Sequence, residues 1–169
     1  ACEPTNRFVA LEFGAKRLGD IRFLVELAAP DAVACLNAGS AHIGIFGSAE
    51  KLRQAKLEII RYAPSATPAV VFADDPVLID QARAIKRPLV TFGKSPKADV
   101  RVENERWLGD EIKSEITLNI RSARAQFLIN QTHDRLAVNL AAACALAHSV
   151  GVSVAEMVAG ARRFSGVSG

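Results

Sequence analysis

The chain has 169 residues, 50% of them hydrophobic and 23% charged, with a formal net charge of +3. That length and balance predict one globular domain with a sizeable core, and exclude a disordered or repetitive chain. Basic and acidic residues interleave throughout, with no basic stripe threaded by aromatics, so nucleic acid is not an expected partner.

Residues 1–6 read as a cut end rather than a folded start. Residues 7–12 (RFVALE) form an apolar run that predicts a first strand ending on Glu12, and residues 14–18 a polar turn. A short helix is expected from about residue 19, with Ile21, Leu24, Val25 and Ala28 on one face, broken by Pro30-Asp31. Residues 32–36 are apolar without alternation, which predicts a strand covered on both faces. A loop then carries His42 and turns through Gly44 and Gly47 to Ser48, a helix N-cap. From that cap Leu52, Ala55, Ile59 and Ile60 recur at helical spacing, which leaves Arg53 and Lys56 free of the core. Beyond the break at Pro64 and Pro68, residues 69–73 predict a third strand, Asp74-Asp75-Pro76 a helix start, residues 77–85 a helix and residues 89–92 a fourth strand. Strand and helix alternating through short connections imply a parallel sheet with right-handed crossovers.

The character changes at Ser95. Residues 98–107, 111–120 and 123–129 are strand-like, with turns at Gly109-Asp110 and Arg121-Ser122, and predict an antiparallel appendage spanning 98–130. Two helices close the chain, at 135–149 and 154–164, the second after Ser153 with Glu156 three residues on, a capping box. The expected fold is therefore α/β: a mainly parallel sheet flanked by helices, with a small antiparallel β appendage, in a single domain over 1–169.

The cysteines, Cys2, Cys35 and Cys144, are odd in number and scattered, which argues for a reducing compartment and against a disulfide framework or zinc site. No apolar run reaches the roughly 18–20 residues a bilayer span needs, and the first residues lack a signal-peptide layout. A cytoplasmic protein without membrane insertion is expected. Trp107 and His148 read as packing, and Cys144 as a buried thiol.

His42, on a glycine-flexed loop beyond a strand end, sits where open α/β sheets place their ligands. Glu12, at the tip of the neighbouring strand, is a candidate to share a hard cation with it, and oxygen ligands suit Mg²⁺. The plainer reading makes His42 a loop residue, Lys56 a solvated helix lysine, and Glu12 a carboxylate in solvent or paired with Lys16 or Arg17. Gly93-Lys94-Ser95 is no nucleotide loop, because Pro88 stands where a P-loop requires glycine and Pro96 follows at once.

The stretches LEFGAKRLGDIRFL, LNAGSAHIGIFGSAEKLRQAKLEI, FADDP and TFGKSPKADVRVEN, with SGVSG at the end, resemble the central domain of the Mur ligase family from about residue 8 to residue 169. The branch they resemble most adds D-alanyl-D-alanine to UDP-N-acetylmuramoyl-tripeptide. The resemblance implies ATP and Mg²⁺ as cofactors, and those two compounds as substrates of a monomeric enzyme. It implies Glu12 and His42 as metal ligands and Lys56, fourteen residues after His42, as a lysine that carries a carbamate and joins them. It places Asn139 near the adenine, although the His-Asn pair usual just before it is Arg135-Leu136 here. Asn37, with Ser40, is a further cofactor-binding candidate because it can line the same loop as His42. The family's phosphate-binding loop lies upstream of the strand that matches residues 7–12, and no GxxxxGK[ST] occurs. The chain is then a partial central domain, expected to be inactive alone, or a degenerate relative. Two alternatives stand beside this reading: another Mur or folylpolyglutamate-synthetase-like ligase, and a non-catalytic binding module of the same fold.

Overall fold

The computed structural model describes residues 5–37, 43–109 and 113–164. Six strands form one sheet in chain order: β1 (Val33–Cys35), β2 (Ala69–Phe72), β3 (Leu89–Gly93), β4 (Val100–Trp107), β5 (Ser114–Ile120) and β6 (Ala123–Ile129). The first four run parallel, with Val33 opposite Ala69, Ala69 opposite Leu89 and Phe92 opposite Val100. β5 and β6 are antiparallel to their predecessors, so β6 points the same way as β1–β4. The antiparallel strands expected over 98–130 are present, and they do not stand apart: β4 pairs with β3 and carries the sheet onward. β4 is bulged between Val102 and Asn104, which puts Trp107 in register with Ser114 at the strand's end, 64% exposed rather than packed.

Helices cover the two faces separately. On one face α1 (Asp20–Ala28), α3 (Ala49–Arg61) and α4 (Pro76–Ala84) bury Ile21, Val25, Leu57, Ile60, Leu78 and Ala82 against Val33, Cys35, Ala69 and Val71. On the other, α5 (Leu136–Ser149) and α6 (Val154–Arg162) close over Val70, Val90, Phe92, Val100, Ile116, Leu118 and Phe127. The alternation along β2 divides Val70 from Ala69 and Val71, as a strand buried on both faces requires. α5 meets the sheet through Ala137, Ala141, Ala142 and Ala145, whose small side chains let the helix lie close.

The helix ends follow local chemistry. Ser48 accepts from the Lys51 amide, Asp75 from the Leu78 amide with Pro76 in the first turn, and Ser153 with Glu156 closes a capping box. Arg87 donates to the carbonyls of Arg61, Ala63 and Pro64, satisfying the carboxyl end of α3 from across a crossover. A single turn, α2 (Ile43–Phe46), stands inside the stretch expected to be loop.

Residues 7–12 depart from expectation. They take no part in the sheet, and Phe8, Val9 and Leu11 are 51%, 55% and 62% exposed. An apolar run predicts a strand only if an edge is there to pair with it, and sequence pattern does not supply the edge. Glu12 is therefore not at a strand tip.

Candidate functional site

Of the residues singled out above, Asn37, Lys56 and Asn139 lie toward one end of the sheet, where the parallel strands finish. β1 ends at Cys35, the chain turns away through Leu36 and half-buried Asn37, and α3 returns from Ser48 along the sheet face. Side chains on a helix lean toward its N-terminus, so a long side chain in the second turn of α3 reaches back toward the strand end it came from. Lys56 does this: its Nζ donates to the main-chain oxygen of Asn37 at 2.8 Å. Burial pushes the Cys35 thiol up to about 12, with the nearby Lys56 ammonium opposing and Asp75 reinforcing the shift. Lys56 and Asp75 thus both lie near Cys35, toward the carboxyl ends of β1 and β2 where open α/β sheets hold ligands.

Glu12 is exposed, on a segment that is neither helix nor strand. Phe13 packs on the cluster of Leu57 and Ile60, and Ala15 on Phe46, Leu52 and Ala55. Asp20 accepts from the Lys16 and Arg17 amides at 3.0 and 3.1 Å, and these bonds with the Arg17 guanidinium hold its carboxyl below the usual range. Asn37 lies at the site through its carbonyl. Asn139 is exposed in the first turn of α5, which begins after β6 and so at the same end of the sheet. Ser40 and His42 lie outside the described residues. Among the described residues no group of three or more His, Cys, Asp or Glu side chains gathers to hold a metal.

Gly93-Lys94-Ser95 turns at the carboxyl end of β3, and its amides are already engaged. Asp74 accepts from the Lys94 and Ser95 N–H groups, both at 2.7 Å. A carboxylate occupies the concavity a phosphate would need, in keeping with the sequence argument against a nucleotide loop. Beside it Thr91 and Asp99 exchange hydrogen bonds: the Thr91 amide and hydroxyl donate to Asp99 Oδ2, and the Asp99 amide to Thr91 Oγ1.

Sequence reasoning missed Glu58. Its carboxylate, 8% exposed, accepts from the Gly19 amide at 2.8 and 3.0 Å and the Arg22 amide at 3.1 Å. The only signal was a charged residue inside the buried stripe of α3, between Leu57 and Ile59.

Comparison with known proteins agrees with this architecture. The Mur ligase middle domain family matches residues 2–147. The UDP-N-acetylmuramoyl-tripeptide–D-alanyl-D-alanine ligase of Mycobacterium tuberculosis H37Rv is 31% identical over 157 residues, covering 90% of this chain and 30% of the relative. Among solved structures, MurF from Acinetobacter baumannii superposes with a TM-score of 0.83 at 25% identity, over 92% of this chain and 34% of that one. MurF ligase from Thermotoga maritima in complex with ADP gives 0.82 at 26%, over 92% and 35%. The chain belongs to the Mur ligase family, and the part of the family it represents is the middle domain. Its sequence relatives and structural neighbours include MurF ligases, and it spans about 30% of the length of those curated relatives. Among the described residues no helix is long and apolar enough to cross a membrane.

Proposed function

We propose that residues 1–169 form one partial middle domain, with 98–130 as its antiparallel part, of a ligase that adds D-alanyl-D-alanine to UDP-N-acetylmuramoyl-tripeptide. In that reaction ATP phosphorylates the terminal carboxylate of the tripeptide and leaves as ADP. The amino group of D-alanyl-D-alanine then attacks the acyl phosphate, forms the amide and expels phosphate, with a proton lost from the amine. The observation that carries the reading is Lys56, whose Nζ is held at the carboxyl end of β1 in a chain that matches the family's middle domain.

A Mg²⁺ ion at this edge would neutralise charge on the phosphoryl group in transfer. Glu12 offers it a carboxylate and His42 an imidazole. As an ammonium Lys56 is a donor and no ligand. As a carbamate, formed when the neutral amine adds CO₂, it presents two oxygens of the kind Mg²⁺ takes. The donor chemistry of this chain therefore fits the ion. Asn139, at the same end on the opposite face, is the residue this reading assigns to the adenine, and Asn37 is assigned to the His42 loop. The reading carries with it a cytoplasmic monomer with no nucleic-acid partner. Because no GxxxxGK[ST] occurs in these residues, they have no ligase activity by themselves.

The test uses the full-length polypeptide that carries this chain. Lys56→Ala should lower phosphate release with UDP-N-acetylmuramoyl-tripeptide, ATP and D-alanyl-D-alanine by at least about 10²-fold, the scale of losing one charge-stabilising group. Labelled bicarbonate should give a carbamate ¹³C signal in the wild type that is absent from Lys56→Ala. Unchanged turnover in the variant would overturn the role of Lys56. Turnover with a different amino acid acceptor in place of D-alanyl-D-alanine would move the protein to another branch of the family.

A further inference from the structure

Glu58 has no place in that chemistry, yet it is the best-sequestered carboxylate among the described residues of this site. A buried carboxylate is costly unless its oxygens are satisfied, and both oxygens of Glu58 are satisfied by amides 39 and 36 residues away. Those amides belong to the start of α1. Its N-cap is Gly19, with φ at 94° and no side chain to cap with, so the first turn has no acceptor of its own. Glu58 supplies the acceptor, and a negative charge at the end of the helix that favours one.

The bond joins the two halves of the site. Gly19 lies seven residues after Glu12, and Glu58 two residues after Lys56. Between Glu12 and Gly19 the chain has little slack. Phe13 and Ala15 are seated on α3 and Phe46, and Asp20 gathers the amides of Lys16 and Arg17. Between Lys56 and Glu58 there is half a turn of α-helix. We propose that Glu58 is a positioning residue: by locking the start of α1 onto α3 it sets the gap across which Glu12 and Lys56 meet a divalent cation. The inference rests on the reading of Glu12 and Lys56 given above. It makes Glu58 more than a helix cap, because releasing it unties the start of α1, seven residues from Glu12, from the Lys56 helix without touching either ligand. The Glu12 segment is then left to the packing of Phe13 and Ala15.

The experiment is a titration of the full-length protein with Mn²⁺ in place of Mg²⁺, free ion being read by electron paramagnetic resonance. Glu58→Ala should weaken Mn²⁺ binding by about 10–100-fold, as loss of a partner that orients metal ligands does. Glu58→Gln, which keeps one acceptor oxygen, should recover part of that loss. Thr67→Val is the control for stability alone: it removes a buried hydroxyl that donates to Pro30 O beside the amino ends of β1 and β2. It should lower the melting temperature and leave Mn²⁺ affinity at the wild-type value. Glu12→Ala separates the two claims. If it loses Mn²⁺ while folded Glu58→Ala binds like wild type, the positioning role is overturned and the metal reading stands. If Glu12→Ala itself binds like wild type, the metal reading falls and the inference with it. Should Glu58→Ala not fold, Glu58→Gln carries the test, and wild-type affinity in that variant overturns the proposal.

Discussion

Asp74 occupies the space a side chain at Gly93 would need. A Cβ built on residue 93 would stand 2.7 Å from Asp74 Oδ1 and 2.8 Å from both its Cγ and Oδ2, and the Gly93 backbone has φ at 148°, where L side chains are rare. Only glycine lets the carboxylate close on the Lys94 and Ser95 amides and so tie the end of β2 to the end of β3. Gly93→Ala should destabilise the chain by more than about 2 kcal/mol, from clash and strain together. Asp74→Ala should cost about 1 kcal/mol, the net worth of its exposed hydrogen bonds. The double variant should cost less than the sum, because deleting the carboxylate removes the clash and leaves only the backbone strain. Urea unfolding of the four proteins measures the coupling, and strict additivity would show that Asp74 is not what excludes a side chain at 93.

The capping box of α6 makes a second prediction, with a pH signature. Ser153→Ala should cost about 1 kcal/mol near neutrality. The Ser153 hydroxyl and amide donate to Glu156 and hold its carboxyl below the usual 4.5. Stability from a lowered carboxyl is present above the unfolded value and lost as pH falls through the folded one. The gap between wild type and Ser153→Ala should therefore narrow below about pH 4.5, measured by thermal unfolding across that range.

The buried thiols act at the other end of the scale. Burial raises Cys35 and Cys144 from 9.0 to about 12. A raised group costs nothing below its unfolded value, but above it the unfolded chain ionises first and gains on the folded one. Stability should fall as pH rises from about 9 toward about 12, and fall less steeply in Cys35→Ala than in wild type. Both thiols should resist iodoacetamide in the native protein near neutral pH and react in urea.

Burial and exposure along the antiparallel strands give the fourth. Phe127 is 0% exposed and Trp107 64%. Phe127→Ala should cost about 3–5 kcal/mol, and Trp107→Ala less than about 1 kcal/mol, by urea denaturation at the same pH. An equal loss in both would mean that Trp107 is packed after all.

What was legible in the sequence was local. The caps at Ser48, Asp75 and Ser153, the parallel strands and the two closing helices all follow from periodicity and turn chemistry within a few residues. What escaped was set by partners far along the chain. Residues 7–12 have the composition of a strand, but pairing requires a neighbouring edge, and no local pattern reports one. Glu58 looks like any helix glutamate until α1 is laid beside it, and Asp74 like a second helix cap until Gly93 arrives beneath it. Trp107 reads as packing in the sequence, yet it stands 64% exposed at the end of β4. Lys56 and Asn139 are candidates only through the family resemblance, since nothing in their local sequence marks them, and both lie toward the carboxyl end of the sheet.

The strands follow one another across the sheet in the order of synthesis, yet one face waits for the last two helices. Until α5 and α6 have left the ribosome, Val90, Phe92, Val100, Ile116, Leu118 and Phe127 form an apolar wall that no other described helix covers. The nascent chain therefore carries its stickiest surface longest, and a stall or truncation anywhere before Ser149 leaves a half-clad sheet whose natural fate is capture by a chaperone or by another copy of itself.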